Sequence, residues 1–335
     1  MNRIHKLLAV AMTAFACFGS VQPSGAQAPG ITAFYTAHVV SMAPMWIAND
    51  VGLFRKHGVE VRLVYIGSGP IGTTSILSGE ADIGVIGGFA PIRAIVGGAK
   101  NLVIIGQSKH AMVGAIVGRK EIAGVKELKG KRLGIDRIGS NPDMYTQAAL
   151  ARFQIDPLKD LNYVQMGSTS QGIPALKAGS IDAFTTTPPY DLFAERLGFK
   201  VILDITALKI PFAATVLLST RTTVRRKEAE IARFTRAYSE AIHTFLTNPE
   251  VAAKVVQKYT KVEDKEILAH SMTAEGKAMA PSLQVDPKGI ELILGLISKA
   301  VPQAAAAKPE DFFDPKFFTE LRDSGFLKRL KVEKS

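Results

Sequence analysis

Short apolar runs rich in β-branched residues alternate with helix-length segments along the first two thirds of the chain. Such runs, when bounded by Gly, Pro and Asn, predict buried strands. The predicted strands are residues 31–35, 59–66, 83–86, 102–106, 132–136, 161–166, 183–186 and 201–205. The predicted helices between them are residues 43–57, 72–78, 91–96, 142–153, 171–178 and 190–197. This alternation is typical of an α/β protein with a mostly parallel sheet covered by helices.

The pattern changes near residue 224, where amphipathic helical periodicity takes over. One more apolar run, residues 213–219, precedes this change and predicts a strand that returns to the first part of the fold. Residues 304–307 are interpreted as a surface connection, or else as the extension of a helix. The predicted helices of this tail are residues 227–246, 249–259, 264–277, 287–299 and 315–324.

An internal repeat relates two stretches of the chain at a constant offset of 100 positions, starting near Val61 and Leu161. The matched positions are Gly67-Ser68 with Gly167-Ser168, Gly79 with Gly179, and Asp82 with Asp182. Chance similarity between two ordinary βαβ units is the alternative. We interpret the repeat as two lobes, each nucleated by one copy.

The repeat and the returning strand together predict a division of the chain into lobes. Lobe 1 comprises residues 29–118 and, after the return, 213–335 with the C-terminal helices, while residues 119–212 form an inserted lobe 2. Two hinge crossovers are expected, near residues 113–119 and 206–214.

The N-terminal residues 1–28 have the features of a secretory signal peptide. Arg3 and Lys6 precede an apolar run over residues 7–18, and Ala26-Gln27-Ala28 offers small residues at a cleavage point. A retained membrane anchor is the alternative, but the run is shorter than the roughly 20 residues that cross a bilayer. We therefore expect a soluble, periplasmic protein that begins near Pro29.

The single cysteine, Cys17, lies inside this segment, so the mature chain has no thiol for a disulfide, a thiolate metal site or nucleophilic catalysis. A lipid-modified Cys17 is the competing interpretation. Against it, Ala14 stands three positions upstream, where an aliphatic residue is usual.

Chain length, composition and net charge add few further constraints on the class of protein. About 307 residues remain after cleavage, and the 47% hydrophobic content supplies the core for two domains. The formal net charge of +11 becomes +9 without Arg3 and Lys6. The basic residues are scattered, with modest clusters at 221–227 and 328–334 and no interleaved aromatic residues. We predict a solvated basic surface and no nucleic-acid partner.

Four turns that follow predicted strands are rich in Gly, Ser, Thr or Asn: residues 38–45, 67–72, 136–145 and 167–172. In an open α/β sheet such turns border the ligand crevice, where the next helix presents unpaired N–H groups. Any one of them is explained as a helix cap, but their symmetry favours a shared cleft. Residues 87–91 and 185–190 are two further candidate walls. Phe89 is either part of that wall or ordinary core.

Catalytic or metal-binding patterns are weak. The six histidines, His5, His38, His57, His110, His243 and His270, show no metal-ligand spacing. Asp82 and Asp182 are predicted to be structural rather than an acid/base pair. A P-loop, a nucleophile elbow and a dinucleotide fingerprint are not found in the sequence, since Gly67-Ser68-Gly69-Pro70 lacks the third glycine. The sequence thus predicts binding without a cofactor or a metal.

Several segments resemble the periplasmic binding proteins of the nitrate, sulfonate and taurine type, which also include receptors for thiamine-pyrimidine precursors. The segments are residues 44–48, 50–58, 77–84 and 128–135, the last leading to Gly139-Ser140. The resemblance implies a two-lobed type II periplasmic-binding-protein fold, export, and an ATP-driven (ABC) permease as partner. The cysteine-rich motif of the family's enzymatic branch is absent from this sequence, which favours a binding protein.

The resemblance also implies ligand contacts from the same turns. They fall on Ser41, Met42, Gly67, Ser68, Gly88, Phe89, Ser140, Asn141, Thr187 and Tyr190. We expect a monomeric substrate-binding component of an ABC importer that captures a small organic anion, sulfonate- or carboxylate-like, by lobe closure. Arg137 either supplies a positive charge or is a surface arginine. A neutral heterocycle as ligand, an exported sensor module and an exported enzyme remain as alternatives.

Overall fold

The computed structural model describes residues 30–298 and 300–332 of the 335-residue chain. The predicted signal peptide and Cys17 therefore lie outside the described residues. The strands are β1 Ile31–Tyr35, β2 Val61–Tyr65, β3 Ile83–Ile86, β4 Leu102–Ala111, β5 Ala115–Gly118, β6 Arg132–Ile135, β7 Asn162–Gln165, β8 Ala183–Thr186, β9 Lys200–Asp204 and β10 Pro211–Thr220.

Helices fill the connections between these strands and make up most of the chain after β10. They are α1 Ala43–Asp50, α2 Leu53–Lys56, α3 Gly69–Ser78, α4 Phe89–Val96, α5 Asn141–Ala151, α6 Pro157–Asp160, α7 Gly172–Ala178, α8 Tyr190–Arg196, α9 Arg221–Arg226, α10 Glu228–Thr247, α11 Pro249–Thr260, α12 Lys265–Gly276, α13 Pro287–Ile297, α14 Lys316–Asp323 and α15 Phe326–Arg329. Within residues 30–298 and 300–332, none of the helices has the length and apolar character that crossing a membrane requires.

The strands form two five-stranded sheets with the same arrangement. The first has the order β2-β1-β3-β10-β4 and the second the order β7-β6-β8-β5-β9. In each, four strands run in one direction and the strand that is fourth in the order, β10 or β5, pairs antiparallel with both of its neighbours. The predicted α/β class is confirmed, and the two copies of the repeat lie in different sheets.

Asp82 and Asp182 show why the repeat preserves an aspartate. The Oδ2 of Asp82 accepts a hydrogen bond from the backbone N–H of Thr32 at 2.9 Å, and Asp182 does the same for Arg132 at 2.9 Å. Each thereby ties the start of its sheet's first parallel strand to a neighbouring turn. The Arg132 guanidinium also donates to Asp182, and this pairing lowers the pKa of Asp182 to about 2. The prediction that both are structural is confirmed.

The first predicted helix, residues 43–57, is broken in the structure. It forms α1 and α2, because Gly52 adopts a left-handed conformation with φ of 80°. Periodicity alone does not reveal the break, since a single glycine is tolerated in many helices. Residues 304–307, the predicted surface connection, lie at the end of a short 3-10 helix, Pro302–Ala306, and just beyond it.

The predicted first crossover, residues 113–119, is instead largely occupied by β5, which is fully buried in the second sheet. A run of four residues buried on both faces has no periodicity of its own, so the sequence pattern does not identify it as a strand. The chain passes between the sheets at residues 112–114 and returns at residues 205–210. We therefore propose that lobe 2 begins at residue 115 rather than 119.

The helical tail belongs to the first sheet. Helix α10 packs on α1 and α2, with the ring centroids of Phe54 and Phe234 5.0 Å apart, while α13 packs on β10 from the other face. Trp46, Phe234 and Tyr238 are fully buried in this layer. Helices thus cover both faces of the first sheet, which leaves its carboxyl-terminal edge open toward the second sheet.

Candidate functional site

A cavity of about 70 Å³ lies between the two sheets, at the carboxyl ends of the parallel strands. Seven predicted ligand-binding residues line it: Ser41, Met42, Gly67, Ser68, Ser140, Asn141 and Thr187. The first four follow β1 and β2, and the last three follow β6 and β8. The cavity is therefore walled by equivalent turns of the two halves, as expected for crevices of α/β sheets.

The other three predicted residues do not line the cavity. Gly88 immediately precedes α4 and its N–H donates to the carbonyl oxygen of Ala213 at 2.9 Å. Phe89 is buried in the apolar core behind the cleft, so the core alternative describes it. The Tyr190 hydroxyl donates to the carbonyl oxygen of His38 at 3.4 Å, which links the second half to the first beside the cavity.

Ser68 and Ser140 each stand at the residue that precedes a helix, α3 and α5 respectively. A serine there normally accepts a hydrogen bond from an N–H of the first helical turn. Neither does so, and within the described part of the chain both buried hydroxyls lack any hydrogen-bond partner. Because buried polar atoms in native proteins are nearly always paired, the two hydroxyls are suited to bond a polar group that enters the cavity.

Asn141 joins the two halves directly. Its Nδ2 donates to the carbonyl oxygen of Ala214 at 2.7 Å, whereas its buried Oδ1 has no partner among the residues described. Gly87 lies against the same amide, because a Cβ atom at position 87 would stand 2.1 Å from Asn141 Oδ1. The absence of a side chain at Gly87 thus permits the close approach of α5 to the first sheet.

Asp136, at the carboxyl end of β6, places a carboxylate in the cavity wall. Both of its oxygens lie 2.9 Å from the hydroxyl of Thr169, which has one hydrogen to donate. Burial raises the pKa of Asp136 to about 6, against the opposing effects of Thr169 and of the positive charge of Arg137. Arg137 is exposed at the rim of the same cavity, so its position agrees both with a surface arginine and with a source of positive charge for the ligand.

Lys109, which sequence reasoning missed, forms part of the cavity floor. Its side chain is only 2% exposed, and its Nζ donates to Glu275 Oε1 of α12 at 2.9 Å. Burial raises the pKa of the Glu275 carboxyl, and Lys109 opposes this shift. The available sequence signal was the polar run Gln107-Ser108-Lys109 in an otherwise apolar strand.

Aromatic rings border the cleft on the side of Asp136. The ring centroids of His38 and Tyr65 are 4.4 Å apart, and the Tyr35 hydroxyl lies 3.2 Å from His38 Nε2. Burial raises the pKa values of Tyr65 and Tyr190, and the charge of Asp136 adds to both shifts. The carboxylate therefore acts on rings from both halves of the molecule.

The fold and the cleft define a class, the periplasmic-binding-protein fold, and solved structures share it. The periplasmic aliphatic sulphonate binding protein SsuA from Escherichia coli superposes with a TM-score of 0.70 at 19% identity, over 87% of this chain and 99% of its own. The family profile described as "NMT1/THI5 like" matches residues 40–252. Since this match spans more than half of the chain, the chain belongs to the NMT1/THI5-like family.

Curated relatives agree with this assignment. "Putative binding protein YtlA" of Bacillus subtilis (strain 168) is 26% identical over 210 residues, which are 61% of this chain and 62% of the relative. "Putative ABC transporter periplasmic binding protein BHWA1_00430" of Brachyspira hyodysenteriae (strain ATCC 49526 / WA1) is 25% identical over 224 residues, 62% of this chain and 64% of the relative. The chain thus spans less than two thirds of the length of these relatives. All three compared proteins are named as binding proteins, not enzymes.

Proposed function

We propose that this chain is the periplasmic substrate-binding component of an ABC importer and that it captures a small organic anion, sulfonate- or carboxylate-like, in the cleft. The observation that carries the proposal is the pair of buried hydroxyls of Ser68 and Ser140, which have no hydrogen-bond partner among the described residues and come from opposite walls of one cavity. The name of the Brachyspira hyodysenteriae relative supports the transporter partnership.

An anion suits these walls for an electrostatic reason. The N-termini of α3 and α5 open at the cavity, and a helix N-terminus carries partial positive charge and unpaired N–H groups. Sulfonate and carboxylate oxygens accept hydrogen bonds from hydroxyls and amides alike. Each such charge-assisted bond contributes about 1.5–3 kcal/mol.

The cavity also limits the size of the ligand. The space of about 70 Å³ suits a small molecule.

Closure of the lobes is the proposed mechanism of capture. Contacts between the halves ring the cavity: the Val40 N–H lies 3.4 Å from the carbonyl oxygen of Pro188, and Asn141 donates to Ala214. A ligand that touches both walls binds the closed state more tightly than the open one and so shifts the population toward closure. The permease would then recognise the closed shape of a monomer.

A thermal-shift screen against sulfonates, carboxylates, nitrate and pyrimidines tests the proposal, because a ligand that binds only the native state raises the melting temperature. We expect Ser68→Ala and Ser140→Ala each to weaken the ligand found by about 10-fold or more, as expected when a hydrogen bond to a charged group is lost. Ser78→Ala, at the other end of α3 and outside the cavity, is the matched control and should bind normally. Unchanged affinity in both cavity variants would refute the site.

A further inference from the structure

Helix α8 of the second half of the molecule packs on α12 of the first half. Three apolar side chains of α8, those of Tyr190, Leu192 and Phe193, lie against the core that surrounds the first sheet. At the edge of this interface the Arg196 guanidinium donates to the Glu266 carboxylate of α12. Exposed ion pairs of this kind stabilise little, so the apolar side chains supply most of the attraction between the two helices.

A carboxyl group without a cationic partner lies in this interface. Asp191, in the first turn of α8, is partly buried, and its Oδ1 accepts a hydrogen bond from the N–H of Leu192 at 3.0 Å. Among the residues that the structure describes, no basic nitrogen lies within 4.0 Å of its oxygens. Burial raises the pKa of Asp191, against the opposing effect of the Leu192 N–H. The charge of Glu195 adds to the rise in this pKa, whereas His270 of α12 lowers it.

The first half presents a second carboxyl group, Glu275 of α12, to the same interface. It is fully buried, and the Nζ of Lys109 lies 2.9 Å from its Oε1 and 2.7 Å from its Oε2. Burial raises the pKa of Glu275, Lys109 opposes this shift, and the charge of Asp191 adds to it. Contact between the halves therefore brings two carboxyl groups within electrostatic reach of each other, and Lys109 is engaged by Glu275 rather than by Asp191.

We propose that the contact between α8 and α12 makes lobe closure sensitive to pH, because the closed state buries Asp191 near Glu275 and therefore forms more readily when Asp191 is protonated. This inference goes beyond the proposed function but rests on the lobe closure that belongs to it. A carboxyl whose pKa is higher in the closed state than in the open state takes up a proton on closure, so the closed population falls as pH rises through that pKa. The other charged or titratable groups at this interface are Glu195 and Arg196 of α8, Glu266 and His270 of α12, and Tyr145 of α5, on which Glu275 acts.

Spin labels on the two halves measure the closed population of the ligand-free protein. Leu158→Cys in the second half and Val51→Cys in the first half replace exposed residues, and Cys17→Ala removes the single native thiol. Distances between the labels, measured by double electron–electron resonance, give the ratio of closed to open molecules. From about pH 8 to about pH 4.5 we expect this ratio to rise, by about 10-fold for each unit by which closure raises the pKa of Asp191.

Three variants in the labelled protein test which group carries the effect. Asp191→Asn keeps an oxygen for the Leu192 N–H without a charge, so its ratio should be the same at both pH values and higher than that of the wild type at pH 8. His270→Gln should keep the pH dependence. Glu121→Gln is the matched control and should behave like the wild type, because it removes the same charge from an exposed position outside α8 and α12. Circular dichroism at both pH values checks that each variant is folded.

Two results would overturn the inference. Asp191→Asn could retain the full pH response, or His270→Gln could abolish it, in which case protonation of the histidine drives closure. The same labels distinguish a failure of the inference from a failure of the proposed function. If the distance is independent of pH but shortens with a sulfonate or carboxylate from the thermal-shift screen, only the inference is wrong. If the distance changes neither with pH nor with any compound of that screen, the result counts against lobe closure and hence against both.

Discussion

Replacing Gly87 by alanine tests whether the two walls must meet for the ligand to be held. Gly87 lies beyond the end of β3, and Asn141 faces it from α5 of the other half. The added methyl carbon would lie 2.1 Å from Asn141 Oδ1 and 2.5 Å from Cγ, closer than any van der Waals contact permits. Gly87 is not among the positive-φ glycines, so alanine imposes no backbone strain of its own. The substitution therefore acts on the approach of the two halves.

The size of the effect on ligand affinity depends on which group moves to relieve this clash. If Asn141 rotates, its amide loses the 2.7 Å hydrogen bond to Ala214 and a buried polar group is left unpaired, which costs about 1–3 kcal/mol. If Asn141 stays, the halves remain apart and the bridging contacts are lost. Destabilising the closed state by about 1–3 kcal/mol lowers ligand affinity by about 5- to 150-fold.

Calorimetry measures the affinity for the ligand that the thermal-shift screen identifies, and small-angle scattering measures the radius of gyration of the protein with that ligand present. We expect Gly87→Ala to bind more weakly and to keep a larger radius of gyration with ligand present. Gly124→Ala is the control, because a Cβ there meets nothing within 4 Å. In an Asn141→Ala background, Gly87→Ala should add no further loss. The steric explanation would be refuted if Gly87→Ala bound the ligand with wild-type affinity, or if it lowered the affinity as much in the Asn141→Ala background as in the wild type.

Two predictions concern titratable groups in the ligand-free protein. Because the pKa of Asp136 is raised to about 6 in the folded state, its contribution to stability is greatest at low pH and is lost as pH rises from about 4 through about 6. The free energy of unfolding of Asp136→Asn, relative to that of the wild type, should thus rise by about 1–3 kcal/mol from pH 4 to pH 8. Urea unfolding at both pH values measures this difference, and a difference that stays constant would contradict the prediction. Lys109→Met leaves Glu275 buried without its partner and should cost about 3–5 kcal/mol at pH 8. The loss should shrink at pH 5, since the pKa of Glu275 is already raised, and Lys109→Met/Glu275→Leu should recover most of it; a loss independent of pH would argue against the ion pair.

Much of the fold follows from local pattern. The strand runs, the offset of 100 positions and the paired Asp82 and Asp182 all depend on periods and turn residues that neighbouring positions reveal. Strand β5 could not be predicted in this way, because four residues that are buried on both faces of a sheet show no hydrophobic periodicity. The break at Gly52 depends on how α2 must turn to pack on α10, which is a tertiary requirement.

The site divides in the same way. The sequence by itself determined that Gly- and Ser-rich turns follow the parallel strands, and hence that Ser68 and Ser140 begin helices at a crevice. Only the tertiary structure decided that Lys109 forms the floor, that Phe89 is core and that, among the described residues, the Asp136 carboxylate accepts a hydrogen bond from the Thr169 hydroxyl rather than forming an ion pair. The physical reason is that helix starts and strand ends are set by nearby residues, whereas burial and charge pairing depend on groups distant in the chain, as Lys109 and Glu275 show.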